Sequence, residues 1–461
     1  MPLILPGNVG SATADAGYDV ANSCRFDEPR STNLTRTPAS AGNRRTWTYS
    51  AWHKVNAYNN DKAGRFLVAQ TDGSNLVDFA YGSSGEIYLG ILEGGSWKEV
   101  VTNAFHKDVS AWYHVVVACD TTQSTESNRL KIYINGVQKT SFSTEVYVSQ
   151  NYDTCVNNDV SHIIGSYTSN TIYYNGYMAE VCLIDGQALT PTSFGEFDSA
   201  SPTIWKPIDV SELTFGTNGF YLDFEDSADL GADVSGNSND FTENNIAATD
   251  QATDTPTNNF CTLNPLYNWY YNPPMSEGNC KIVADSTSWG GAKGTMAVSK
   301  GKWYWEIKLS GTIANHQHGV QEINLTESVI SPHNLTGSTI FYNGDGGEIK
   351  TDGAATTNDY GTLDTGDIMG IALDMDAGSY GQFTIYDQNA AIASDINLSS
   401  SSDYVMPFLT IVSSTAEVNF GGCSAFTVSS SANDENGYGN FEFEPPSGYL
   451  ALCTKNLATD G

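Results

Sequence analysis

The sequence predicts an all-β protein that folds as two tandem antiparallel β-sandwiches with very little helix. Three observations lead to this prediction. The 461 residues are too many for one hydrophobic core. The chain contains 43 Gly and 25 Tyr, and only 16% of its residues are charged, which favours short strands and tight turns over helices. Several short runs alternate between apolar and polar residues, and this two-residue period is typical of strands in stacked sheets.

Strand patterns fill the first half of the chain. Residues 46–52 alternate between two faces. Residues 112–118 form a nearly continuous β-branched and aromatic run, which suits a strand that is covered on both faces. Residues 130–134 alternate again and are followed by Asn135 and Gly136, the strongest short hairpin signal. This half therefore predicts antiparallel strands joined by tight turns.

The second half resumes the same pattern. In residues 301–309 the two Trp side chains share one face with Ile307 and Leu309, and Lys302, Tyr304, Glu306 and Lys308 share the other. This alternation predicts a half-buried antiparallel strand. Three further strand candidates are residues 367–374, 382–386 and 416–420.

A polar, proline-containing break near residues 198–216 separates the two halves. We therefore predict four parts. They are an N-terminal arm (1–21), a first sandwich (22–204), a connecting segment with a long polar loop (205–275) and a second sandwich (276–461).

Charge and cysteine usage narrow the class of partners. The net charge of −32 repels phosphate backbones and anionic lipid surfaces, so we expect no nucleic-acid partner. No apolar stretch is long enough for a membrane span, so we expect no membrane insertion. None of the eight cysteines forms a CxxC pair, and several lie in apolar runs. We interpret them as buried free thiols of a protein made in a reducing cytoplasm.

The order of motifs in residues 22–200 resembles the laminin G-like family of concanavalin A-type sandwiches. The resemblance rests on residues 112–117, on 130–136 and on 174–181. It implies a concanavalin A-like jelly roll. The Asp-Glu pair that is usual in that family reads Ala179-Glu180 here.

Residues 276–455 resemble a SPRY domain, a second concanavalin A-like sandwich, through residues 301–307, 366–374 and 418–421. The same combination of two domains resembles the organisation of large proteins of marine bacteriophages. The short segments at residues 254–260 and 445–452 are also similar to segments of those proteins. This similarity implies a virion surface protein made in the host cytoplasm.

Catalysis is not expected. Retaining glycoside hydrolysis needs two carboxyl groups about 5–5.5 Å apart, and the Glu-x-Asp-x-x-Glu spacing that supplies them in related glucanases does not occur in this sequence. Gly-x-Ser-x-Gly is absent as well. We therefore predict a protein that is not an enzyme.

Two aromatic and amide-rich clusters are candidate ligand-binding residues. The first is Trp269, Tyr270 and Tyr271, and the second is Tyr342, Asn343 and Asp345. Rings beside amides suit stacking on sugars and hydrogen bonding to them, and they suit a protein interface equally well. The alternatives are a seam between the sandwiches for the first cluster and a plain hairpin turn for the second.

One acidic stretch is a candidate cation site. Asp229, Asp233, Asn237 and Asp240 supply the oxygen ligands that Ca²⁺ prefers, although their spacing is not that of an EF-hand. Ordinary turns are the alternative interpretation. His316 and His318 lie on one face of a strand pattern, but two ligands are fewer than structural zinc takes.

The function predicted from these features is a non-enzymatic bacteriophage virion surface protein. It would be a tail-fibre or appendage adhesin that contacts a host surface glycan or envelope component. We expect a homo-oligomer that contacts other virion proteins through its N-terminal arm, whose tip, residues 2–6, is apolar. The alternatives are a capsid decoration protein without receptor binding and a secreted polysaccharide-binding or polysaccharide-degrading protein.

Overall fold

The computed structural model describes residues 3–5, 17–58, 64–168, 172–267, 271–285, 287–323, 339–351, 354–398 and 404–461. The chain divides into two compact units, one formed by residues 14–257 and the other by residues 1–13 and 258–461. Strands are the main regular secondary structure of the described residues, which contain one α-helix, α1 (Thr454–Asp460). The predicted all-β fold class is confirmed. No described helix is long and apolar enough to cross a membrane.

The N-terminal unit, residues 14–257, is a sandwich of two large antiparallel sheets. Its strands are β1 (Ser23–Phe26), β2 (Asn33–Arg36), β3 (Thr46–Val55), β4 (Gly64–Asp72), β5 (Asn75–Tyr81), β6 (Ile87–Glu93), β7 (Ser96–Thr102), β8 (Tyr113–Asp120), β9 (Leu130–Ile134), β10 (Val137–Gln138), β11 (Phe142–Glu145), β12 (His162–Ile164), β13 (Gly176–Asp185), β14 (Gly195–Phe197), β15 (Trp205–Pro207), β16 (Phe220–Leu222), β17 (Thr242–Asn244) and β18 (Gln251–Ala252). The first sheet has the order β10-β9-β8-β3-β13-β1-β18, with β16 also paired to β13. The second has the order β11-β7-β6-β5-β4-β12-β2-β17.

The predicted hairpin after residue 134 forms. Asn135 and Gly136 have φ values of 48° and 77°, as a two-residue turn between right-twisted strands requires. A Cβ at Gly136 would also lie 2.4 Å from the ring of Trp205, so the turn packs directly on that indole. Glycine is therefore needed here both for the backbone conformation and for the space.

The first sheet is covered on both faces. Its inner face joins the main core, while an outer cluster brings Phe194, Val210 and Phe215 against Val116 and Ile184. Trp205 adds a polar contact to this layer: its indole N–H donates to His114 Nδ1 at 2.9 Å. Because that nitrogen accepts, the imidazole proton lies on Nε2, 2.8 Å from Ser50 Oγ. Burial lowers the pKa of His114 to about 3, in keeping with a neutral ring.

The segment predicted as a connection is divided between the two units, and most of it belongs to the first sandwich. Residues 220–222 pair with Leu183, Cys182 and Val181 of β13, and β17 and β18 each extend one sheet. The division between the units falls after residue 257, not at the break near 198–216. Residues 226–257 are polar and show no two-residue alternation, so the sequence predicts a loop for this part.

Two buried ion pairs fasten the end of this segment to the first sheet. Lys54 Nζ lies 2.6 Å from Asp254 Oδ2, and Trp112 donates to the other carboxylate oxygen at 3.0 Å. Arg25 Nη2 lies 2.9 Å from Asp250 Oδ1. All four charged side chains are almost fully buried. Removing one partner of such a pair leaves an uncompensated buried charge, at a cost of about 3–5 kcal/mol.

The C-terminal unit is a second sandwich. Its strands are β19 (Met275–Ser276), β20 (Lys281–Ala284), β21 (Gly290–Lys293), β22 (Lys302–Gly311), β23 (His316–Glu322), β24 (Thr339–Asn343), β25 (Glu348–Thr351), β26 (Ala354–Asp359), β27 (Ile368–Asp374), β28 (Gln382–Asp387), β29 (Ala390–Asn397), β30 (Val405–Ile411), β31 (Ser414–Asn419) and β32 (Leu450–Ala451). One sheet has the order β19-β20-β31-β22-β27-β28-β29, with β32 beside β22, and the other has the order β21-β30-β23-β24-β25-β26.

Strand β22 is more buried than its sequence pattern predicts. The face that carries Trp303 and Trp305 joins the core, as expected. On the other face Tyr304 and Glu306 are also buried. The Glu306 carboxylate accepts hydrogen bonds from the backbone N–H groups of Glu442 and Phe443 at 2.9 and 2.8 Å. Burial nevertheless raises its pKa to about 7.

The N-terminal arm does not form one element. Residues 17–20 belong to the first sandwich, where the Val20 N–H donates to Thr257 Oγ1 at 3.1 Å. Ile4 instead pairs with Met296 in the C-terminal unit, through backbone hydrogen bonds of 2.9 and 3.1 Å. The apolar tip thus contacts its own chain in this structure. All eight cysteines are free and buried, as predicted.

We expect that a chain ending at residue 204 will not fold, whereas one ending at residue 257 will. The shorter chain lacks β16 and leaves Lys54 and Arg25 as buried charges without Asp254 and Asp250. Circular dichroism and thermal melting of the two purified fragments measure the difference. A cooperative melt for the fragment that ends at 204 would contradict the boundary at residue 257.

Candidate functional site

The first predicted ligand cluster can be followed only in part. Trp269 and Tyr270 lie outside the described residues. Tyr271 is partly buried, and its hydroxyl donates to Asp285 Oδ1 at 2.8 Å. This hydrogen bond to Asp285 is the main reason that the pKa of Tyr271 is raised.

The second predicted cluster does not form a surface site. Tyr342 is fully buried, its hydroxyl donates to the Gly361 carbonyl, and it accepts from the Leu363 N–H, each at 3.1 Å. Asn343 is buried too and donates to the Asp345 carbonyl at 2.9 Å. Only Asp345 is exposed. The hairpin alternative for these residues is the correct one, because β24 and β25 pair across this turn.

The acidic stretch also uses its polar atoms within the polypeptide. Asp233 accepts from the N–H groups of Tyr221 and Ser235 on one oxygen and from Asn239 on the other, at 2.8–2.9 Å. The Asp240 carboxylate caps the Asp233 N–H at 2.9 Å, and Asn237 donates to two backbone carbonyls.

Asp229, Asp233, Asn237 and Asp240 therefore do not fit a Ca²⁺ cage. Among the described residues, no group of three or more His, Cys, Asp or Glu side chains is arranged to hold a metal ion. His316 and His318 share a buried hydrogen bond of 3.0 Å, and burial lowers the pKa of His316 to about 4. The turn interpretation fits the acidic stretch, and the histidine pair lies in the core.

The outer face of the second sheet of the N-terminal unit offers a better candidate. Strand register places two rows of side chains across β4, β5, β6 and β7. One row is Gln70, Leu76, Leu92 and Trp97, and the next is Val68, Asp78, Gly90 and Glu99. Trp97 is 38% exposed, and Glu99 lies beside it on the same face. This face therefore presents an indole and a carboxylate to solvent; we call it the Trp97 face.

Polar contacts hold the Trp97 face in a fixed arrangement. The Tyr88 hydroxyl donates to Glu99 Oε1 at 2.7 Å. Its ring crosses over Gly90, where a Cβ would lie 2.4 Å from the hydroxyl oxygen. Burial, and then the contact with Glu99, raise the pKa of Tyr88, so the phenol keeps its proton and acts as the donor. The glycine is required because any side chain would displace this ring.

A buried ion pair supports the other end of the same face. Arg65 Nε lies 3.0 Å from Asp78 Oδ1, and Nη2 lies 3.3 Å from Oδ2, a two-point contact that fixes the guanidinium plane. The Tyr167 ring lies 5.0 Å from the guanidinium carbon. The Trp97 face thus combines aromatic rings with charged groups. Contacts with neighbouring residues fix the positions of these charged groups.

The sequence interpretation missed the residues of the Trp97 face. The available signal was weak: Gly94 and Gly95 mark a turn, after which Trp97, Glu99 and Val101 alternate. Alternation alone cannot say which face of this strand meets the core, because Trp97 and Val101 on one face and Val100 on the other are all apolar. Only the pairing with β6 decides it.

Glu180 marks a second unusual position. The pairing of β13 with β3 shifts register between Ala179 and Cys182, and Glu180 has a φ of 53°, a left-handed conformation that costs a non-glycine residue about 1 kcal/mol or more. Its Oε2 accepts from the hydroxyls of Tyr221 at 2.7 Å and Tyr18 at 3.3 Å.

Burial raises the pKa of Glu180 to about 7, so this carboxyl can change charge near neutrality. It is the glutamate that corresponds to the Asp-Glu pair of the laminin G-like resemblance. Here it links the N-terminal residues around Tyr18 to the first sheet.

Comparison with known proteins supports the architecture. Residues 30–193 match a family model described as Laminin_G_3, of the concanavalin A-like lectin/glucanases superfamily. No curated protein matches the chain significantly.

Three solved structures illustrate the likeness. A heptameric SAP-like pentraxin from Limulus polyphemus is 17% identical over 38% of this chain and 80% of its own, with a TM-score of 0.29. The SPRY domain of human HERC1 is 14% identical over 32% and 94%, with a TM-score of 0.25. Domain 4 of AbnA, a GH43 extracellular arabinanase from Geobacillus stearothermophilus in complex with arabinotriose, is 20% identical over 34% and 68%, with a TM-score of 0.26.

Likeness at this level does not carry over a ligand or an activity. The family match and the two-sheet topology agree with each other over the same residues. The N-terminal unit thus contains a concanavalin A-like sandwich domain.

Proposed function

We propose that the protein is a non-enzymatic carbohydrate-binding protein and that the Trp97 face is its binding surface. The observation that carries the proposal is the exposed Trp97 indole beside the Glu99 carboxylate, on a sheet face whose other polar groups are already ordered. The concanavalin A-like lectin/glucanases family match of residues 30–193 supports the same substrate class.

The chemistry of the Trp97 face suits a sugar ring. An indole offers a broad apolar surface for the C–H face of a pyranose, and a carboxylate accepts hydrogen bonds from hydroxyl groups. Because Tyr88 already orients Glu99, little ordering entropy is lost when the sugar binds. The net charge of −32 disfavours strongly anionic glycans at low salt, since like charges repel.

A single open face of this kind binds a sugar weakly. Several copies of the protein on one particle would raise the overall affinity. Avidity can exceed single-site affinity by about 100- to 10,000-fold when sites bind together. The proposal therefore includes a homo-oligomer.

The finer proposal is that the protein lies on the surface of a bacteriophage particle as a tail-fibre or appendage adhesin. This proposal is supported by the similarity of residues 254–260 and 445–452 to short sequence segments of marine phage proteins. The alternatives are a capsid decoration protein and a secreted polysaccharide-binding or polysaccharide-degrading protein.

We expect the purified oligomer to slow adsorption of the phage to its host when it is added to cells before infection. Adsorption kinetics with and without the protein measure this effect. If the protein neither binds cells nor slows adsorption, while particles that lack it lose physical stability, the decoration alternative replaces the adhesin.

We expect Trp97→Ala to weaken oligosaccharide binding roughly tenfold or more, equivalent to about 1.4 kcal/mol, because it removes the stacking surface. Binding of the full chain to an immobilised panel of neutral and acidic oligosaccharides measures the loss. Phe105→Ala is the matched control, since Phe105 is 65% exposed and lies in the loop after β7.

The control variant should bind as the parent chain does. Equal affinity of the Trp97→Ala and parent chains for every oligosaccharide that binds would place the site elsewhere. A panel without any bound oligosaccharide would contradict the carbohydrate proposal itself.

A further inference from the structure

The C-terminal unit has a groove of its own, at the point where three neighbouring strands end. The groove is shallow and open to solvent, with a volume of about 420 Å³. It is lined by the ends of β20 and β22 and by the turn into β31. The lining residues that matter here are Asp285, Ser310, Gly311, Ser413 and Thr415.

Strand register explains why the groove is rich in hydroxyl groups. Thr415 stands opposite both Val283 of β20 and Ser310 of β22, so Thr415 and Ser310 lie side by side on one face of the sheet. This face is opposite to the one that carries Leu309 and Ala416 into the core. The hydroxyls therefore face away from the core.

The backbone at the end of the groove requires a residue without a side chain. Gly311 has a φ of 98°, and a Cβ there would lie 3.0 Å from Ser414 Oγ. The turn opposite it contains Ser413 with a φ of 45°. These two residues line the end of the groove.

Tyr271 and Asp285 form a polar rim. The Tyr271 hydroxyl donates to Asp285 Oδ1 at 2.8 Å, which fixes the carboxylate while Asp285 stays exposed. Tyr271 itself is positioned by Gly290, where a Cβ would lie 2.3 Å from Pro273 Cγ and 2.8 Å from Tyr271 Cδ1. A glycine on β21 thus allows the Tyr271 segment to pack closely beside the groove.

We propose that this groove is a second carbohydrate-binding site, specific for a neutral saccharide. The Asp285 carboxylate accepts hydrogen bonds from sugar hydroxyls, and the Ser310 and Thr415 hydroxyls both donate and accept. The site lies in the C-terminal unit and does not depend on the Trp97 face.

Charge selects a neutral ligand. Asp285 is the one ionisable residue among those that line the groove, and residues 258–461 contain 7 Lys and Arg against 22 Asp and Glu. An acidic sugar would meet this carboxylate without a compensating cation in the lining, and the interaction would be repulsive.

The test uses the full chain in which Trp97→Ala has removed the other proposed site. Saturation-transfer NMR is recorded with four neutral trisaccharides: maltotriose, laminaritriose, mannotriose and arabinotriose. At least one is expected to bind. Adding Asp285→Ala should weaken that binding roughly tenfold, as expected for loss of a hydrogen bond to a charged group. Adding Tyr271→Phe should weaken it less, because Asp285 remains but loses its fixed position.

Tyr380→Phe is the control, since Tyr380 is 44% exposed and lies between β27 and β28, outside the groove lining. It should leave binding unchanged. The groove proposal is overturned if none of the four trisaccharides binds the Trp97→Ala chain, or if Asp285→Ala binds as tightly as its parent. Either result concerns the groove only. The proposed function is tested separately, by the effect of the single substitution Trp97→Ala.

Discussion

The covering of the first sheet on both faces is the constraint on which the N-terminal unit depends. The outer side chains of β8 and β13 include Val116, Ala118, Cys182 and Ile184, and Phe194, Val210 and Phe215 bury them. Burying side chains of this size contributes about 1.5–3 kcal/mol each. Because this face is closed, the candidate site lies on the second sheet, whose outer face carries Trp97 and Glu99. The position of the candidate site thus follows from where the chain folds back on itself.

Buried charges give that covering its specificity. Lys54 and Arg25 lie on the outer face of the first sheet, where hydrophobic packing alone would leave them unsatisfied. Asp254 and Asp250 reach them from the end of the first unit, more than 190 residues later. A buried ion pair adds little net stability, but an incomplete one is costly, so it disfavours any other docking of residues 248–257. The segment is therefore an integral part of the sandwich.

Sequence patterns predicted the strands well and the assembly less well. The alternation in residues 46–52 and 130–134 and the Asn135-Gly136 turn are local properties, and they reappear in β3, β9 and the hairpin. The covered strand at 112–118 was predicted for the same reason. For residues 226–257 the sequence predicts a polar loop. Their polar side chains instead bond to backbone atoms within the sandwich, as Asp233 does, and such contacts leave no periodic pattern in the sequence.

The candidate sites show the same limit. Tyr342 and Asn343 looked like a loop tip because Asn-Gly-Asp is turn chemistry, yet strand pairing carries both side chains inside. Tyr271 was singled out for its aromatic neighbours, and the structure adds a reason in Asp285. Trp97 had only a weak local signal, the turn at Gly94 and Gly95 followed by alternation. Which face of a strand meets solvent is decided by tertiary pairing, which a single sequence does not encode in readable form.

Hydrogen exchange of the full chain, with and without a bound oligosaccharide, tests the central claim most directly. If the Trp97 face binds the sugar, amides of β5, β6 and β7 should exchange more slowly in its presence. Amides of residues 187–215, which cover the first sheet, should not change. Protection of residues 187–215 with no effect on β5–β7 would contradict the account, because it would place the sugar on the sheet face that the chain itself occupies.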